Sequence, residues 1–519
     1  MRRFITVAAL TAGLSGTAAF AADFQTIGTM GMGGAGVARD MGSYAPYWNP
    51  AGLAFATKTF SSTVGAGVGL RVSDGLADNV DRIGKFTEGS PSTLDKLKNL
   101  STLSNDPAVI AEMVSLLSVI RDIETQKGTL SVNADAALGV QVKSFGFGVF
   151  ALNEGYGRPL ADLVNVLPAS GGGATQLTTA QLVTLAGVPA TTQTFFNATQ
   201  TTQLNAALTT AGIASATDRT NIINALGNQL ATPANPNLPT VTAQQATDTF
   251  VSSVAPAFSS TSNINNNQTA VLVKNVLFTE IPLSYGHALD MGTNGKLGLG
   301  ATIKPIIGRV YQTRIRLTEN GQSVTSKDIV DGFKDNFEES TNITLDLGLQ
   351  YKYANWLTLG LVGKNLTSPT FKSPALKDQK GRLVQPDGTL TTTPFKDADV
   401  TLKPQARAGL ELAPLSWLTF AADLDLTENE SVLSGLEFKN RQLGGGVELS
   451  PLSWFKLRAG MYKNLADSTL GNVATGGLTF GIPWVLLEID GAYGLKTAQY
   501  KEKSYPRESR VQVQLVVQF

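Results

Sequence analysis

The sequence predicts an all-β fold: a transmembrane antiparallel β-barrel of about 14 strands with an N-terminal plug and partly helical extracellular insertions. Three observations predict it. Apolar and polar residues alternate with period two over segments near ten residues, short turns alternate with long connections, and the chain opens on an export-type leader.

Alternation is plainest at the end of the sequence. Val511, Val513, Leu515, Val517 and Phe519 share one face, with Gln512, Gln514 and Gln518 on the other. In 342–353, Ile343, Leu345, Leu347, Leu349, Tyr351 and Tyr353 oppose Asn342, Thr344, Asp346, Gln350 and Lys352. The stretches 402–412 (Leu402, Ala406, Ala408, Leu410 and Leu412 on the apolar side) and 485–496 repeat the pattern. A soluble sandwich strand alternates too, because one of its faces packs on a core. The recurrence of the polar face in strand after strand, and an aromatic residue at 519, favour a barrel. A charge facing lipid at mid-depth costs about 2–4 kcal/mol, so the charges must face inward. The expected lumen charges are Lys403, Arg407, Glu411, Asp423, Asp425, Arg458, Glu488 and Asp490. Pairing across strands, with Arg407, Lys439 or Arg458 as cations, is expected before any ligand role. A cation site at Asp423 and Asp425 is the alternative.

Such segments fall at 58–71, 129–142, 144–153, 271–288, 295–311, 341–353, 356–366, 401–413, 416–427, 437–449, 454–463, 473–482, 485–496 and 509–519. Short turns are expected at 143–144, 289–294, 354–355, 414–415, 451–453 and 483–484, and long connections at 72–128, 154–270, 312–340 and 367–400. This asymmetry is that of barrels with periplasmic turns and extracellular loops. The repeated Pro-Leu-Ser-Trp at 414–417 and 451–454 suits such turns, since proline ends a strand and tryptophan favours the membrane interface.

Arg2 and Arg3, the apolar run Phe4–Leu14 and Ala19-Phe20-Ala21 make residues 1–21 a signal peptide, with cleavage near Ala22. An uncleaved anchor needs about 20 apolar residues, more than this run supplies. The organisation expected is a plug at 22–56 and a barrel at 57–519 in a Gram-negative outer membrane. Lysine plus arginine and aspartate plus glutamate balance at 41 each, so no basic surface points to nucleic acid. With no cysteine there are neither disulfides nor thiolate zinc sites. The one histidine, His287, lies near a short turn and is expected to be structural or interfacial. No catalytic residue, metal ligand or cofactor is expected, and the chain is not expected to be an enzyme.

Two insertions interrupt the strands. In 72–128, helices are expected from Pro91 and from Asp106-Pro107, the second with Ile110, Met113, Val114, Leu117 and Ile120 on one face. The segment 154–270 is rich in Thr, Ala, Gln and Asn; helical pieces are expected at 177–186, 200–212, 218–230 (Asp218 as N-cap) and 241–253.

Near the N-terminus stand Gly33-Gly34-Ala35-Gly36-Val37-Ala38 and Trp48-Asn49-Pro50-Ala51-Gly52-Leu53. The glycines lack the strand, helix and Lys-Ser/Thr of a nucleotide loop; they suit close backbone packing inside a barrel. Gly33, Gly34, Gly36, Trp48, Asn49, Pro50 and Gly52 are therefore the expected plug motif. It resembles the start of FadL-like and PorV-like outer-membrane barrels. Gly435–Glu437, Leu457–Asn464 and Thr475–Leu478 resemble the C-terminal half of that superfamily. Gly360–Leu366 and Asp423–Thr427 resemble its branch of plasmid-transfer-operon TraF-type proteins. The resemblance implies fourteen strands with an N-terminal hatch, and binding or transport of small hydrophobic molecules. Alternatively it implies an assembly or surface role with conjugation or secretion proteins. It also implies outer-membrane lipid and the barrel-assembly machinery as partners, with Phe519 in the insertion signal.

Overall fold

A computed structural model describes residues 25–72, 107–125, 128–163, 191–233, 236–256, 268–316, 334–430, 439–468, 470–500 and 503–519, with isolated positions between them. The leader, the helix starts at Pro91 and Asp106, and nearly all of 177–186 lie outside the described residues.

Alternating residues pair into one closed antiparallel wall. Its strands are β1 Phe60–Val72, β2 Leu130–Val142, β3 Phe145–Leu160, β4 in two pieces (Ala270–Glu280 and Leu283–Asp290), β5 Lys296–Arg316, β6 Phe337–Tyr353 and β7 Leu357–Lys364. They continue as β8 Gln405–Leu415, β9 Leu418–Asp425, β10 Gln442–Leu452, β11 Phe455–Asn464, β12 Asn472–Ile482, β13 Val485–Gly494 and β14 Glu508–Gln518. The large sheet holds 16 segments; β4 contributes two, and Lys377–Asp378 is a two-residue graft from a connection, which leaves fourteen wall strands. Each expected span has its strand. The ring shuts where β14 pairs β1, from Ser61↔Gln518 to Arg71↔Glu508. Phe60 and Phe519 exchange both backbone hydrogen bonds there and stack at 4.9 Å. Closure leaves no strand edge, a requirement for any sheet in hydrocarbon.

The outer face is an apolar belt: Val64, Leu138, Phe147, Leu299, Leu347, Leu359, Leu457, Ile489 and Leu515 are all exposed. Four of the five tryptophans, Trp356, Trp417, Trp454 and Trp484, sit exposed in the short turns, at the level of a membrane interface. His287 also points outward, beside Tyr285.

Several boundaries move. β8 starts at Gln405, because Pro404 has no N–H to give the ladder; Lys403 therefore lies exposed in the preceding connection and is not a strand-borne lumen charge. Leu402, expected on the lipid face, is buried in an apolar cluster with Phe278, Ile306, Val310 and Phe371. β10 starts at Gln442, and Lys439–Asn440 pairs with Asn429–Glu430 in a small hairpin instead. β3 runs on to Leu160, past the expected start of the second insertion.

Both insertions build one helical cap. α1 is the four-residue Ala45–Trp48 in the plug; the cap holds α2 Pro107–Thr125, α3 Ala198–Thr210, α4 Ala216–Ala231 and α5 Ala243–Thr249, which continues as a π-helix over Phe250–Val254. Val114 and Leu117 of α2 pack with Leu204, Leu208, Ile223, Leu226 and Phe250 in one core. Asp218 is not the N-cap of α4. Ser215 is: its hydroxyl accepts the Asp218 N–H at 3.2 Å, placing Asp218 in the first turn, where its charge favours the helix dipole.

The outward belt makes a direct prediction. Leu347→Arg puts a cation on the lipid side and should cost about 2–4 kcal/mol if it lies near mid-depth. Urea titration of the folded, heat-modifiable band in vesicles reads that loss.

Candidate functional site

The lumen is filled by residues 25–56, and the wall is shaped to receive them. Short helical turns at Met30–Met32, Gly42–Tyr44 and Pro50–Phe55, together with α1, fold this segment compactly. Ile27, Val37, Tyr44, Tyr47 and Trp48 pack against Ala137, Phe150, Leu152 and Val362 of the wall. The Trp48 indole donates to the Ile27 carbonyl at 2.7 Å. Burial pushes the phenols of Tyr44 and Tyr47 up from their ordinary range. Both therefore stay neutral, and Tyr47 accepts the Gln25 N–H at 2.8 Å.

The plug backbone lies almost flush on the wall. A Cβ at Gly348 would stand 2.0 Å from the Asn49 Oδ1. At Gly300 it would meet the Ala51 nitrogen at 2.1 Å, at Gly360 the Val37 oxygen at 2.5 Å, and at Gly444 the Gly33 oxygen at 2.0 Å. No side chain fits those positions. Gly33 and Gly34 themselves have φ of 65° and 80°, which turns the plug against β10 and β11. Glycine inside a strand commonly marks such close backbone approach. The wall glycines are the sequence signal of this seat: they occupy the inward parity of strand after strand, where alternation of apolar and polar side chains does not mark them.

Polar side chains clamp the seated plug. Asn49 caps the Pro50–Phe55 turn through the Ala51 N–H, and its amide donates to the Val37 and Leu349 carbonyls at 2.9 and 3.1 Å. Gln350 donates to the Val37 carbonyl at 3.0 Å. Asp423 accepts the N–H groups of Gly36 and Val37 at 2.8 and 3.0 Å, and its charge also interacts with that of Arg407 on the neighbouring strand. Arg39 reaches Glu448 at 2.9 Å and Glu411 at 3.9 Å. Pro50 and Gly52 lie buried in the turn that abuts β4, β5 and β6.

The remaining lumen charges neutralise each other. Arg407 and Asp425 pair at 2.6 Å, each side chain 1% exposed, and Asp425 also accepts the Gln442 N–H. Arg458 joins Glu448 at 2.8 Å, Glu488 at 3.1 Å and Asp490 at 3.6 Å, and does not reach Asp423 or Asp425. Lys304 sits between Glu280 and Asp346 at 3.1 and 2.9 Å, a triad the sequence reading did not single out. Lys364 lies 3.7 Å from the Tyr47 ring centre, a cation–π contact between wall and plug. Asp423 and Asp425 thus form no joint cation site, and among the described residues no cluster of acidic or histidine side chains has a metal-binding arrangement. Below the plug, toward the short turns, a polar vestibule of about 430 Å³ is lined by Arg39, Lys58, Glu411, Lys456 and Glu488, among others.

Above the plug the lumen changes character. The connection between β7 and β8 folds in, Thr370–Phe371 pairing with Val400–Thr401, and Phe371 packs on Phe278 at 4.6 Å between ring centres. Phe371 also covers Gly308, where a Cβ would meet its ring at 2.2 Å. Lys274 anchors the same connection through Asp397 at 2.9 Å.

A plugged fourteen-strand barrel with Trp48-Asn49-Pro50 at its clamp can be set beside known proteins. The family model described as "F plasmid transfer operon, TraF, protein" matches residues 46–425. The chain belongs to that family. The match takes in Trp48–Leu53 and Gly360–Leu366, two of the segments that carry the resemblance in the sequence. No curated protein matches this TraF-family chain. Among solved structures it is similar to the Ralstonia pickettii toluene transporter TbuX, with 12% identity and a TM-score of 0.42 over 97% of this chain and 99% of that one. The P. putida toluene transporter TodX shows 12% identity and a TM-score of 0.41 over 94% and 96%. A Pseudomonas aeruginosa FadL homologue shows 10% and 0.38 over 97% and 98%.

Two substitutions separate plug seating from wall stability. Gly348→Val keeps a residue suited to strands yet collides with Asn49; the barrel should still insert, with single-channel conductance in planar bilayers several-fold above wild type. Arg407→Met leaves Asp425 buried without its cation and should cost about 3–5 kcal/mol, measured by denaturant titration of the reconstituted barrel.

Proposed function

We propose that this TraF-family barrel sits in the outer membrane after removal of residues 1–21 and binds or passes small hydrophobic molecules. The observation that carries this reading is the apolar lumenal patch of Phe278, Ile306, Val310 and Phe371 above a plug held by reversible polar contacts. Phe371 arrives on a connection and not on a wall strand, so an apolar molecule can take its place on Phe278 and Gly308. Burial of the incoming apolar molecule offsets re-exposure of the Phe371 ring, whereas the paired charges below offer an apolar solute nothing. Passage then needs the Asp423, Gln350 and Glu448 clamps to release segment 36–39. No catalytic step enters this reading.

Purified barrel in liposomes should accelerate uptake of a small aromatic hydrocarbon probe over protein-free liposomes. Phe371→Asp, which makes the patch polar, should reduce that acceleration at least five-fold while heat-modifiable migration persists. Equal uptake with and without protein removes the transport reading.

The helical cap supports a second reading, a surface or assembly component for conjugation or secretion proteins. Its core is drawn from two separate insertions and stands apart from the lumen clusters, as a dedicated outer structure would. Replacing both insertions by short turns separates the two: loss of partner association with uptake retained favours assembly, and the reverse favours transport.

A further inference from the structure

The lipid-facing belt is not uniform. Across β14, β1, β2, β3, β4 and β5 the outer wall is concave, forming a groove of about 780 Å³. Apart from Gly67 and Asp135, which are of inward parity, its lining residues face away from the plug, as the registers show: Val68↔Val511, Ala66↔Val513 and Ala66↔Ala136, then Ala136↔Ala151, Ala151↔Thr279 and Thr279↔Ile307. Elsewhere outward alanines such as Ala301, Ala422 and Ala459 stand singly; here Ala66, Ala134, Ala136 and Ala151 occupy outward positions on three consecutive strands. Small side chains make the hollow, and Val511, Val513 and Ile307 wall it.

The floor is closed. Those same registers are unbroken ladders, and the interruption of β4 at Ile281 and Pro282 lies beyond the lining. The hollow is therefore a seat on the wall and not a window through it. Behind it, Ala137, Phe150 and Leu152 press on Tyr44 and Tyr47, while Asp135 turns its carboxylate inward to Arg510 and Gln512 at 3.3 and 3.1 Å.

We propose that this groove seats the acyl chain of a membrane lipid as a fixed part of the wall. The groove is continuous with the apolar belt, so acyl chains are its solvent, and close packing disfavours leaving it empty. Water has no polar partners along Ala66, Val68, Ala136 and Val513. Arg309, on the lining at the β5 side, pairs with Glu339 at 2.5 Å and lies over the Phe337 ring. That aromatic and charged rim orients the lipid, with its polar head toward Arg309 and its tail along the alanines. The proposal rests on the barrel being membrane-embedded, but not on what the lumen carries.

The test is native mass spectrometry of the full chain, extracted from membranes in mild detergent. Wild type and the control Leu347→Phe, on the belt outside the groove, should each retain one phospholipid through stepwise delipidation. Filling the seat with Ala136→Phe plus Ala151→Phe should lower that occupancy at least ten-fold. Should the double variant lose heat-modifiable migration, Ala136→Leu replaces it and should show an intermediate fall. Equal retention in filled and wild-type barrels overturns the proposal, as does a retained molecule that is not a membrane lipid. Unchanged hydrocarbon uptake in the lipid-free variant leaves the transport reading standing; uptake lost in wild type leaves the seat standing.

Discussion

Hydrocarbon offers backbone N–H and C=O groups no partner, and the architecture follows from that constraint. A sheet meets it only by closing on itself, which the β14–β1 pairing achieves from Ser61 to Arg71. Closure fixes the parity of each strand at once. Residues of one parity meet lipid and those of the other meet the lumen, so a one-residue slip would drive Asp346 or Arg407 into hydrocarbon. The charges in the lumen are in this sense part of what holds the register, whatever else they do.

Once closed, the ring has an interior that must itself be filled or hydrated. Residues 25–56 fill it, and at several points their backbone lies directly against the strands. That choice explains the glycines of the wall: Gly300, Gly348, Gly360 and Gly444 give up side chains so that plug atoms can approach the strands. Glycine weakens a strand by its own preferences. The loss is offset here because carbonyls and amides that would otherwise face a void meet Asn49, Gln350 and Asp423. The seat is thus built of hydrogen bonds and ion pairs, beneath an apolar upper lumen.

The wall is one strand thick, so its two faces share the same strands. Where β1, β2 and β3 carry alanine outward, their inner face carries the aromatic contact with Tyr44 and Tyr47. Packing on the membrane side and seating on the lumen side thus act on the same few strands. The cap has a core of its own, contributed by two insertions.

The sequence by itself determined the number of strands, their parity and the sorting of short turns from long connections. Period-two alternation and turn chemistry are local, and hydrocarbon punishes any departure from them. It also marked Gly33, Gly34 and Trp48-Asn49-Pro50 as an expected plug motif. What tertiary structure alone decided was partnership. Alternation cannot say that Asp423 meets plug amides while Asp425 meets Arg407, since both share one face and differ only in height against a folded segment nearly four hundred residues away in sequence. Nor can it say that Leu402 turns into the lumen or that Lys403 leaves the wall, because strand ends depend on where a connection folds back. The wall glycines were visible as letters, yet their meaning required the plug to be in place: an absent side chain acquires a role only when something else occupies its volume.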